Sequence, residues 1–156
     1  MKINAAFNRL SNSEAISLYS AVMENADTGL SVLVIAKGGK FNPKTSPDFF
    51  LITDNPMAEN YDSLFREEDF KAGFEAYQYL KASNRIVIDD GIQEYNIDNV
   101  MEISKQRANG QAEYNIDMLQ NGHMALIATC KLFHSQISIE TSLETYDELD
   151  NLYQTI

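Results

Sequence analysis

The chain has 156 residues, 44% hydrophobic and 22% charged, enough for one globular domain with a core of its own. Twelve Lys and Arg stand against twenty-three Asp and Glu, a formal net charge of -11 at pH 7. That sign disfavours direct contact with nucleic acid or anionic lipid, both of which call for a basic footprint. A single cysteine, Cys130, excludes an intramolecular disulfide and agrees with a reducing compartment, so a cytoplasmic protein is expected.

Residues Met1 to Arg9 hold no apolar run of secretory-signal length, and no stretch approaches the roughly 20 apolar residues that span a bilayer. Ser11-Asn12-Ser13-Glu14 has capping-box form and precedes Ala15, Leu18 and Val22 with Ile16, Tyr19 and Met23, which predicts a first amphipathic helix closing near Asp27-Thr28-Gly29. Ser31 to Ala36 and Phe49 to Thr53 are apolar, β-branched or aromatic runs that read as buried strands. Between them Lys37-Gly38-Gly39-Lys40, with Lys44, Pro43 and Pro47, reads as a loop.

Phe70, Phe74, Tyr77 and Lys81, widened by Ala76 and Leu80, predict a second helix over 66–82 whose aromatic stripe faces the core. Arg85 to Ile88 reads as a strand and Asp89-Asp90-Gly91 as a tight turn into Ile92 to Ile97. Asn109-Gly110 and Asn121-Gly122 each part segments of period-two alternation, and Asn-Gly is the type I′ hairpin dipeptide. Val100 to Arg107, Gln111 to Leu119 and His123 to Phe133 are therefore expected to form a β-meander, which Ile137 to Glu140 extends. A second capping box, Thr141-Ser142-Leu143-Glu144, opens a final amphipathic helix. The expected fold is α+β: a single domain, residues 1–156, with an antiparallel sheet covered by about three helices. Glu94-Tyr95-Asn96-Ile97-Asp98 recurs as residues 113–117, which reads as two similar strands and not as a solenoid.

Chemistry is sparse. Two His and one Cys make no spaced metal cluster, and no metal or other cofactor is expected. Cys130 and His134, four apart, could form a nucleophilic dyad, but no third group orients them and Cys130 is assigned to the core. Asp89-Asp90-Gly91 lacks the alternating oxygen ligands of a calcium loop. Lys37, Gly38, Gly39, Lys40 and Lys44 offer a locally basic, flexible segment for an anion, without the spacing of a P-loop.

The acid is unevenly spread. Residues 1–50 carry plus one, 51–100 minus seven and 101–156 minus five. Glu67-Glu68-Asp69 with Glu75, and Glu144, Asp147, Glu148 and Asp150 on the last helix, are candidate contact residues for a basic protein partner. A carboxylate line of this kind can stand in for a phosphate backbone. The expected function is a non-enzymatic interaction protein that antagonises a basic, nucleic-acid-binding surface. The analogy of size and charge is to phage anti-defence and immunity-type inhibitors and to nucleic-acid mimics. A small dimeric chaperone or scaffold, and an enzyme or sensor holding an anionic ligand at Lys37 to Lys44, are the alternatives.

Overall fold

The structure, a computed structural model, describes residues 1–38, 48–99, 104–106, 112–114 and 116–154. Strands β1 (Lys2–Phe7), β2 (Ile16–Glu24), β3 (Ser31–Lys37), β4 (Phe49–Thr53), β5 (Ser63–Leu64) and β6 (Ile86–Ile88) form one sheet in the order β5-β4-β1-β2-β3-β6. The β1–β2 and β2–β3 pairs are antiparallel; β1–β4, β4–β5 and β3–β6 are parallel. The sheet is thus mixed and not the purely antiparallel one expected. Helix α1 (Phe70–Ala82) carries the chain from β5 at one edge to β6 at the other, a long crossover of the kind that lets a strand join its neighbour in parallel.

Strands β3, β4 and β6 and helix α1 lie where the sequence puts them. The expected first helix does not: residues 16–24 are β2, with Leu18 opposite Ala5 on one side and Lys37 on the other. Ile16, Leu18 and Val22 fit alternation as well as they fit a helical stripe, and pairing on both edges decides for the strand. The supposed capping box is a turn whose Ser13 hydroxyl accepts the Asn121 N–H at 2.9 Å.

Ile3, Ala5, Phe7, Ile16, Leu18, Leu33, Ile35 and Ile52 share one face of the sheet, and all are buried in the main core. Burying a side chain of Leu, Ile or Phe size stabilises by about 1.5–3 kcal/mol, so this face holds the sheet against its entropy cost. The opposite face is buried at its centre too, by Asn4, Ala6, Ser17, Leu51 and Thr53. Among the described residues the Asn4 amide and the Ser17 and Ser20 hydroxyls have no hydrogen-bond partner.

Helix α2 runs unbroken from Asn121 to Gln154. The third strand of the meander, the extension at Ile137 to Glu140 and the separate final helix are all corrected by it. Every residue from Asn121 to Cys130 is buried, because α2 contacts β1 to β4 and also α1. A helix apolar on all sides carries no 3.6-residue signature, and the parity of Met124, Leu126, Ala128 and Cys130 is incidental once Ala125 and Ile127 are buried as well. The helices approach closely at Gly73, where an added Cβ would stand 2.5 Å from Ile127 Cγ2 and 3.1 Å from its carbonyl oxygen. Gly122 is likewise a matter of space: a Cβ there would collide with the Tyr95 ring. Asn121-Gly122 therefore opens a helix and does not turn a hairpin.

Asn109-Gly110 lies outside the described residues, but β7 (Ser104–Gln106) and β8 (Ala112–Tyr114), which flank it, pair antiparallel with Ser104 opposite Tyr114. Residues 116–118 then form a 3-10 turn, so the expected strand to Leu119 is cut short. Asp89 accepts the Gly91 N–H at 3.0 Å and starts a 3-10 segment, Asp90–Tyr95, where a returning strand was expected. The two copies of the pentapeptide accordingly differ in structure: the first bridges two 3-10 segments and the second ends β8.

Candidate functional site

A concavity among the described residues lies outside the carboxyl ends of the three adjacent parallel strands β1, β4 and β5. There the chain leaves β1 toward β2 and leaves β4 toward β5, in opposite directions across the sheet. Such a divergence opens a crevice in α/β sheets, and ligands favour it. The crevice has a volume of about 440 Å³ and is lined by Arg9 and Leu10 after β1, Asp54 and Pro56 after β4, Leu64 to Glu67 at β5, and Met124 of α2.

Its backbone is tightly held. Asp54 Oδ1 accepts the Asn8 N–H at 3.1 Å and Oδ2 the Arg9 N–H at 2.9 Å, so one carboxylate ties the exit of β4 to that of β1. Burial pushes the Asp54 carboxyl above its ordinary range, against the lowering effect of those two N–H bonds and of the Arg9 charge. The next loop residue, Leu10, donates its N–H to Asn121 Oδ1 at 3.0 Å, while Asn121 Nδ2 reaches the carbonyls of Leu10, Ser13 and Glu14. On the other wall the Arg66 N–H goes to Asp69 Oδ2 at 2.8 Å, and Asp69 Oδ1 meets Lys131 Nζ of α2 at 3.1 Å.

The guanidinium groups are freer than the backbone beneath them. Arg9 Nη1 donates at 3.4 Å to the Asp54 carbonyl and has no ion pair among the described residues. Arg66 pairs with Glu68 at 3.6 Å with both side chains largely exposed, a contact of little strength. Arg9 and Arg66 thus line a crevice to which Leu10, Leu64, Phe65 and Met124 contribute an apolar lining. The chain matches no family model, no curated protein and no solved structure. The crevice is consequently read from its own chemistry.

The residues singled out by sequence lie elsewhere or at its rim. Glu67 lines the crevice and is exposed; Glu68 is exposed beside it, and Glu75 is exposed on α1. Asp69 is half-buried and committed within the chain: burial pushes its carboxyl up, but the Arg66 N–H and the Lys131 ammonium more than offset this and hold it below the usual range. Glu144, Asp147, Glu148 and Asp150 lie on α2, and their side chains fall outside the described residues. Lys37 ends β3 exposed, and the Gly38 N–H is already given to Ser17 O at 2.8 Å, which withdraws one amide from the anion loop. Gly39, Lys40 and Lys44 lie outside the described residues.

Cys130 is fully buried and its thiol is pushed far up by burial, while the His134 ring stacks edge-on with Tyr79 at 5.1 Å. A thiol so disfavoured as thiolate is no nucleophile. Among the described residues no group of three His, Cys, Asp or Glu could hold a metal, and no helix is long and apolar enough to cross a membrane.

The sequence singles out none of Arg9, Asp54 and Arg66 as a site residue. The available signal was slight: the apolar runs ending at Phe7, Thr53 and Phe65 are each followed within two residues by a charged one. Nothing in the sequence says that those three exits converge.

Proposed function

We propose that this chain is a non-enzymatic, cytoplasmic interaction protein that binds a basic protein surface, of the kind that otherwise holds nucleic acid, and so antagonises it. The observation that carries the reading is the run of exposed carboxylates along α1 and its flanks. Glu67 and Glu68 precede the helix, Glu75 is midway, and Asp89, Asp90, Glu94 and Asp98 follow. A 13-residue helix is about 20 Å long, which sets the acids at intervals suited to a basic groove. Cations are interspersed there, Lys81 paired with Asp98 at 3.1 Å, Arg66 with Glu68 at 3.6 Å and Lys71 exposed between them, but the acids outnumber them.

The test is capture from the native host on the immobilised chain and on its Glu67→Gln, Glu68→Gln, Glu75→Gln variant. A basic partner should be retained at low salt and released by high salt and by added duplex DNA. Its association with the variant should slow about tenfold, since rim charges act mainly on the on-rate. Equal retention by native chain and variant would return the acid to a solubilising role. Salt-insensitive self-association would favour the dimeric scaffold instead.

A further inference from the structure

We propose that the crevice at the carboxyl ends of β1, β4 and β5 binds a small organic oxyanion, a carboxylate or phosphate monoester with an apolar body, held by the guanidinium groups of Arg9 and Arg66. The inference is independent of the acidic outer surface. In a chain of net charge -11 holding four arginines, two of them line this one crevice. Guanidinium groups suit the planar or trigonal oxygens of such ligands, which they can hold with paired N–H bonds.

Three features fit the site to this class. The backbone of both arginines is anchored, Arg9 N–H on Asp54 and Arg66 N–H on Asp69, so their side chains start from fixed points and binding orders little else. Both oxygens of Asp54 are engaged by backbone N–H groups beside Arg9, and Asp54 and Glu67 are the two carboxylates in the lining against which the arginines act. The apolar lining gives the body of the ligand a surface to cover, and about 440 Å³ suits a small molecule, not a polymer.

The full chain should be titrated with inorganic phosphate, phenyl phosphate and phenylacetate by calorimetry. At least one organic anion should bind about tenfold or more tightly than inorganic phosphate, and which one does so separates a phosphate ligand from a carboxylate. The Arg9→Gln, Arg66→Gln variant should weaken that binding by about tenfold or more with an unchanged melting temperature, because the anchoring bonds are main-chain. Glu67→Gln should tighten it severalfold, the opposite of its effect on a basic protein partner, and Lys71→Gln on the exposed side of α1 should leave it alone. Absence of binding by both organic anions up to about 10 mM, an equal loss in Lys71→Gln, or no loss in the double arginine variant would overturn the assignment.

Discussion

His123 accepts the Gln120 N–H on Nδ1 at 3.0 Å and meets the Tyr95 ring edge-on at 5.8 Å. Burial holds its pKa below the ordinary 6.5, outweighing the raising effects of Glu94. The unfolded chain therefore takes up the proton more readily than the folded one. The stability this histidine contributes is complete above its ordinary value and declines as pH falls through it toward the folded value. Melting temperature should fall between about pH 7.5 and 5.5, and His123→Asn, whose Oδ1 can replace Nδ1 as acceptor, should flatten that slope. Thermal melts across the window check it; an unchanged slope would assign the dependence to another group.

At the scale of elements, the segment before α1 divides into carboxylates with different duties. Glu67 and Glu68 face solvent, whereas Asp69 links the Arg66 backbone to Lys131 and so fastens the start of α1 to α2. Glu67→Gln with Glu68→Gln should leave the melting temperature within about a degree. Asp69→Asn alone should lower it by a few degrees, corresponding to about 1 kcal/mol for a partly exposed ion pair and its hydrogen bond. A sequence reader meets Glu67-Glu68-Asp69 as three equal acids, because what distinguishes them is a lysine 62 positions away. The same limit explains which elements were legible. Helix α1 is amphipathic, since one side faces solvent, and β3 and β4 are short apolar runs bounded by breakers. Strand β2 fits two periods, and the buried half of α2 fits none. The crevice was least legible of all, being made of strand exits that only the sheet order brings together.

Across the whole molecule, sheet and helices share one core, and Cys130 lies within it. Its thiol should therefore report global opening. In native buffer an aromatic disulfide reagent should leave it unmodified, and labelling should begin only as denaturant populates the unfolded state, tracking the loss of far-ultraviolet signal. Fast labelling of the native protein would show that the first half of α2 opens locally. The Asn121 hydrogen bonds have a further meaning during synthesis. Leu10 and Asn121 are 111 residues apart, so at 5–20 residues per second the loop that follows β1 waits roughly 5–20 s for the side chain that secures it. Strand β1, apolar over Ile3 to Phe7 except at Asn4, is synthesised before the other strands of its sheet, yet it ends in the middle of the sheet. One edge of it can be paired early by β2, but the edge that takes β4 and the face that takes α2 stay uncovered until those later elements follow.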